Sequence, residues 1–173
     1  PGFTMPCDPA RLMPMRFGNV WAVIEEYPYL RYGMDGMTFW PRMISVVPKE
    51  YTDMLGNHKM TLDTLLNSAL LAIFFGVEMI VVLARQPGLQ NLLLAAGAFA
   101  AAYLLYQAAI STLLEMGELI KSCYDLFRGA LITKFGLAVP AGDIEGERRI
   151  WSGLTSYILA GDASYYPAPP SKS

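Results

Sequence analysis

Histidine and cysteine are almost missing from this chain: one of the first and two of the second in 173 residues. His58 alone cannot supply a multi-histidine zinc, copper or haem site. A Ser-His-Asp or Cys-His apparatus would have to run through that one ring. Cys7 and Cys123 lie 116 positions apart. They make no CxxC pair and no disulfide framework, and read as free thiols in a reducing compartment. Charge is scarce as well, at 16% of residues against roughly 25% in a typical soluble domain. The 13 basic and 15 acidic residues leave a net charge of −2, which excludes a nucleic-acid binder held by phosphate contacts. There is no P-loop, no dinucleotide-binding glycine motif and no HExxH zinc motif. Neither an enzyme nor a cofactor protein is expected.

Apolar residues are abundant, at 54% with a mean hydropathy of +0.33, and point to membrane-embedded segments. Thr64 to Ala84 is a 21-residue stretch with one charge, Glu78, and one amide, Asn67. Asn91 to Leu114 is a 24-residue stretch without charge. At 1.5 Å per residue each reaches about 30 Å, the thickness of a bilayer core. The short turn Arg85-Gln86-Pro87-Gly88-Leu89-Gln90 between them predicts an antiparallel hairpin. Two buried helices of a soluble bundle are the other reading, but such helices normally keep a polar edge. Arg11, Arg16, Arg31, Arg42, Lys49 and Lys59 precede the hairpin, and Lys121, Arg128, Lys134, Arg148, Arg149 and Lys172 follow it; only Arg85 sits in the loop. This distribution predicts both ends in the cytoplasm and the loop outside.

The flanks read as helical. The opening Pro1-Gly2-Phe3-Thr4-Met5-Pro6 has no basic start and apolar core, and is not read as a signal peptide. Arg11 to Glu26 can form an amphipathic helix, with Pro28 expected to end it. Residues 27 to 48 are rich in aromatics, glycine and proline, and predict an irregular segment with turns at Tyr32-Gly33 and Asp35-Gly36. Pro48 can open another helix. Beyond Leu114, Met116, Leu119, Ile120, Cys123, Tyr124, Phe127 and Leu131 keep helical spacing. The second apolar helix should therefore continue unbroken to about Lys134. Asp143 is a plausible N-cap and Gly161 a C-cap for a last helix over Ile144 to Ala160.

The fold expected is an all-α membrane protein: a two-helix transmembrane hairpin with a small cytoplasmic helical domain formed by both flanks. Residues 1–63 would be an N-terminal cytoplasmic or interfacial segment and 64–114 the hairpin, with spans 64–84 and 91–114. Residues 115–161 would be cytoplasmic helices and 162–173 a Pro-rich flexible tail.

Four motifs carry a resemblance: Arg31-Tyr32-Gly33-Met34-Asp35, Trp40-Pro41-Arg42, Asp125-Leu126-Phe127-Arg128 and Glu147-Arg148-Arg149-Ile150-Trp151. Their order around an apolar hairpin resembles that of bacterial inner-membrane proteins to which no activity is assigned. The resemblance implies a bacterial inner-membrane location and nothing about chemistry.

Glu78 is the sharpest single feature, because an ionisable residue near mid-membrane costs several kcal/mol. On a helical wheel it shares a stripe with Asn67, Leu71, Phe74 and Arg85, opposite Ala69, Ala72, Gly76 and Ile80. It could be a relay or pore-lining carboxylate, or a neutral, hydrogen-bonded contact between helices. Gly97, Ala101, Ala108 and Ser111 form a small-residue seam suited to close packing against Ala72 and Gly76. Gln107 falls level with Ser68 and could bond to it or to Asn67. Met5, Met13, Met15, Met34, Met37 and Met60, with Cys7 and His58, invite a copper reading. These positions are scattered, and adaptable packing is the reading preferred for the methionines. Trp21, Tyr27, Tyr29, Tyr32, Phe39 and Trp40 suit either the headgroup level or a packed core. Arg31, Asp35 and Arg42 could meet a lipid headgroup.

Three functions are compatible with these residues. The first is a non-catalytic integral membrane subunit that stabilises a larger complex. Its partners would be the bilayer and other subunits, of the same or a different chain, on the Glu78 face. The second is a homo-oligomeric channel or transport protein with Glu78 lining the pathway. A membrane enzyme has the least support.

Overall fold

The computed structural model describes residues 12–140, 142–161, 164 and 166. Its elements in order are the helices α1 (Arg16–Tyr32), α2 (Gly36–Met43), α3 (Lys49–Arg85), α4 (Leu89–Lys134) and α5 (Ile144–Ala160). Among the described residues there is no strand. Met5, Cys7 and Arg11 lie outside the described residues, as does the Pro-rich tail except Ser164 and Tyr166.

Helix α1 does not stop at Pro28 as the sequence predicts. The proline sits inside the helix and is buried, although an interior proline removes one backbone bond at a cost of about 3 kcal/mol. Its ring packs so closely against Gly36 that a Cβ there would come within 2.9 Å of Pro28 Cγ, and this burial offsets part of the loss. The helix runs on to Gly33, whose φ of 68° is left-handed and suits a residue without a Cβ. The Gly33 N–H donates to the Tyr29 carbonyl at 2.8 Å, and Met34 N–H to Pro28 at 3.2 Å.

The segment expected to be irregular holds α2. Asp35 does not turn the chain with Gly36. It caps α2, accepting from the Thr38 N–H at 3.3 Å and from the Thr38 hydroxyl. Helix α3 begins directly after Pro48, whose carbonyl accepts from Tyr51 N–H at 3.1 Å. Helix α4 passes Glu115 and reaches Lys134 without a break, as the uninterrupted spacing predicts. Asp143 caps α5 by accepting from Gly146 N–H at 2.8 Å, and Gly161 ends it with φ 69°.

The chain divides into two compact units, one built from residues up to Asp53 together with those from Gly117 onward, the other from Met54–Met116. In the first unit α1 packs against α2 and α5. Its core holds Val20, Met34, Phe39, Met43, Cys123, Ile132, Trp151 and Leu154. Phe39 meets Trp151 edge-on at 5.0 Å between ring centroids, and Tyr51 meets Phe127 at 5.3 Å. These aromatic contacts are favourable beyond the area they bury. Phe39 and Tyr32 are thus core residues, whereas Trp21 and Tyr29 are exposed, so the aromatic segment divides between the two roles the sequence allows.

In the second unit α3 and α4 run side by side. A Cβ at Gly76 would lie 3.0 Å from the Phe99 ring, and His58 Nε2 lies 3.7 Å from a Glu115 carboxylate oxygen. Buried positions spaced by seven run along both helices, Leu62, Ala69 and Gly76 on α3 and Ala95, Ala102, Ala109 and Met116 on α4, with Ile110 and Leu113 buried beside them on α4. A seven-residue repeat keeps a straight stripe only when helices coil around one another in a left-handed sense. Small residues at those positions bring the backbones close. The seam expected through Gly97, Ala101, Ala108 and Ser111 is corrected, because all four are exposed. They lie two residues after or one residue before a seam position, about 200° or 100° around the helix.

Candidate functional site

Away from this seam, both long helices are oily outside. Leu71, Phe74, Val81, Leu93 and Leu104 are between 50% and 68% exposed. Helices α3 and α4 are long and apolar enough to cross a membrane, and only 11% and 28% of their most apolar stretches are buried within the protein. A core helix of a soluble bundle would bury most of that surface.

On this outer surface Glu78 and Asn67 are exposed, and Glu78 makes no hydrogen bond or ion pair among the described residues. Ala72 is half-buried and Gly76 buried, while Gly97 and Ala101 are exposed. Gln107 is half-buried, as is Ser68. No hydrogen bond joins it to Ser68 or Asn67; its carbonyl accepts from the Ser111 hydroxyl at 3.3 Å.

The first unit contains a polar network that draws on three helices. Tyr27 and Tyr32 come from the last turns of α1, Asp125 and Arg128 from one turn of α4, and Glu147 and Trp151 from the first turns of α5. The Asp125 carboxylate accepts from Tyr32 at 2.6 Å and from Tyr27 at 2.9 Å. Arg128 Nε donates to Glu147 at 2.8 Å, and the Trp151 indole N–H donates to the same oxygen at 3.2 Å. The Arg128 guanidinium also lies 4.1 Å from the Tyr32 ring centroid, within reach of a cation–π attraction. Burial, reinforced by the bond to Asp125, pushes the Tyr27 phenol from 10.0 up to about 12, and Tyr32 rises for the same reasons. Among the described residues no buried side-chain nitrogen or oxygen lacks a partner. Every group in this network serves a neighbour, so its chemistry is that of a pin through three helices.

Three of the four motifs behind the family resemblance enter this network. The fourth adjoins it through Trp40, whose ring lies 5.7 Å from Tyr124. Arg31, Asp35 and Arg42 do not assemble a headgroup site. Asp35 is used as the cap of α2, Arg42 donates to the Thr38 carbonyl at 2.6 Å, and Arg31 is exposed. Nor do the described sulfurs form one buried group. Met34 and Met43 are fully buried, Met13, Met15, Met37 and Met60 are exposed, and no group of three His, Cys, Asp or Glu residues among the described residues could hold a metal.

Sequence reasoning missed two clefts. One of about 250 Å³ is lined by Trp21, Glu25, Met37, Trp40 and Tyr124 among others. Another of about 450 Å³ is lined by Tyr29, Asp35, Arg148, Ser152, Thr155 and Ser156. The i, i+4 spacing of Trp21 and Glu25, joined at 2.6 Å, is a local signal for the first. Nothing local reveals the second, since α1 and α5 are far apart in sequence. No family model, no curated protein and no solved structure matches this chain.

Proposed function

We propose that the protein is a non-catalytic integral membrane subunit that stabilises a larger membrane complex through the Glu78 face of α3. One observation carries this reading: a carboxylate and an amide, Glu78 and Asn67, stand on the exposed side of an otherwise apolar helix, with no partner for Glu78 among the described residues. Left in lipid, such a carboxylate costs on the order of 2.5 kcal/mol or more. A contact with another subunit, where the side chain is neutral or hydrogen-bonded, removes that cost. The saturated polar network in the other unit supports a structural role.

In this reading α3 and α4 span a bacterial inner membrane near 64–84 and 91–114, and both ends are cytoplasmic, consistent with the placement of basic residues. In a background without native cysteines, an impermeant thiol reagent added to intact cells labels Gly88→Cys but not Ala10→Cys or Tyr165→Cys. The reverse pattern refutes the orientation. Gentle detergent extraction with mass measurement of the intact particle tests the role: the chain travels with larger subunits, and Glu78→Leu releases it without preventing insertion. A particle of many copies of this chain alone, losing ion flux in Glu78→Gln, would replace this reading with a channel.

A further inference from the structure

The cleft between α1, α2 and α4 has a volume of about 250 Å³. Its lining includes two tryptophans, Trp21 and Trp40, with Tyr124, Met37 and one charged residue, Glu25. The Trp40 and Tyr124 ring centroids are 5.7 Å apart with planes inclined at 47°. The Tyr124 hydroxyl donates to the Gly36 carbonyl at 3.1 Å and the residue is only 3% exposed, so the open aromatic surface comes from Trp21 and Trp40. The Glu25 carboxylate accepts from the Trp21 indole N–H at 2.6 Å. No lysine or arginine lines the cleft. The cleft is also open: Met37 is 73% exposed and Trp21 37%.

We propose that this cleft binds a methylated ammonium group. Aromatic faces attract cations through the ring quadrupole, and Glu25 adds a full negative charge with no basic residue to neutralise it. An anion would be repelled. A purely apolar ligand would gain nothing from the Glu25 carboxylate, which is exposed at the rim. A small hydrated metal ion would find one carboxylate and no second hard ligand. A methylated ammonium satisfies all the walls together, because its charge lies beneath an apolar surface. The same unit already uses the attraction internally: the Lys121 ammonium lies 5.6 Å from the Tyr27 ring centroid and the Arg128 guanidinium 4.1 Å from that of Tyr32. The ammonium can come from a choline-type lipid headgroup or from a free cation.

The test uses the full chain in a maltoside detergent, followed by tryptophan emission, with Trp151 fully buried and therefore shielded from direct contact with ligand. Tetramethylammonium chloride gives a saturable change beyond that of matched sodium chloride. 3,3-Dimethylbutanol, similar in shape but uncharged, binds at least roughly tenfold more weakly. Glu25→Gln keeps an acceptor for the Trp21 N–H, and weakens tetramethylammonium binding roughly tenfold. Met37→Arg, at an exposed position, abolishes binding while thermal unfolding is unchanged. In phosphatidylcholine nanodiscs, loss of the response to added cation identifies the headgroup as the source, and a response equal to that in phosphatidylglycerol discs identifies the free cation. The proposal is overturned if no saturable change occurs in detergent, if the neutral alcohol binds as tightly, or if Glu25→Gln binds unchanged.

Discussion

The Tyr32 hydroxyl donates to the Asp125 carboxylate at 2.6 Å across 93 positions of sequence, and Tyr27 reaches the same carboxylate at 2.9 Å. One side chain on α4 thereby holds two successive turns of α1. The fold favours the neutral Tyr27 phenol, raising it from 10.0 to about 12, with burial the larger cause and Asp125 the next. The stability linked to this shift is fully present below pH 10, where the phenol is protonated both folded and unfolded. It is lost as pH rises towards and through about 12. Phenolate absorbance at 295 nm should show Tyr27 ionising late, identified by its loss in Tyr27→Phe. In Asp125→Asn the same step should move to lower pH.

Glu147 is the next element of the pin. Its side chain is 9% exposed and holds Arg128 at 2.8 Å together with the Trp151 indole at 3.2 Å. Removing one partner of a buried ion pair leaves the other charge uncompensated, at a cost of about 3–5 kcal/mol. Arg128 is 28% exposed, so solvent screening reduces this, and about 2–3 kcal/mol is expected for Glu147→Ala. Glu147→Gln retains an acceptor and should cost less. Denaturation followed by Trp151 emission measures both, and equal losses would show that charge contributes nothing.

Much of the fold is legible because its signals are local. The caps Asp143 and Gly161 and the uninterrupted run of α4 depend on neighbours a few residues away. Pro28 misleads because its local penalty is partly offset by packing against Gly36, eight residues on and across a turn. Asp35 misleads because Asp-Gly marks a turn or a helix cap equally well. The hairpin seam misleads for a different reason. A small-residue motif identifies close packing only on the face that meets a neighbour, and α4 carries small residues on more than one face, of which the one with Ala95, Ala102 and Ala109 is buried. The polar pin was visible as three separate motifs, but only folding brings α1, α4 and α5 to one place.

Cys123 lies in the core of the first unit with no exposed surface, and burial pushes its thiol above the ordinary value. Only the thiolate is strongly nucleophilic. In a Cys7→Ser background a maleimide should therefore leave folded protein unmodified for hours at neutral pH and react within minutes after denaturation. Fast labelling of the folded protein would mean that α4 opens around Cys123 far more often than a packed core allows.

The last prediction separates the observed seam from the one the small-residue pattern suggests. Both Gly76 and Gly97 are helical glycines in apolar surroundings, and sequence alone gives no reason to treat them differently. In the structure a Cβ at Gly76 would already be 3.0 Å from the Phe99 ring, whereas one at Gly97 meets nothing within 4 Å. Gly76→Leu must push α3 from α4 or displace Phe99, and overpacking of this kind typically costs about 1–3 kcal/mol. Gly97→Leu adds an apolar side chain on an exposed apolar face and replaces a helix-weakening residue, with a gain of up to about 1 kcal/mol. A cysteine pair at His58 and Glu115, whose side chains come within 3.7 Å between α3 and α4, reports on the seam directly. Its oxidative cross-linking should fall in Gly76→Leu and persist in Gly97→Leu. The opposite order would place the helix contact on the Gly97 and Ala101 face and refute the packing described for the second unit.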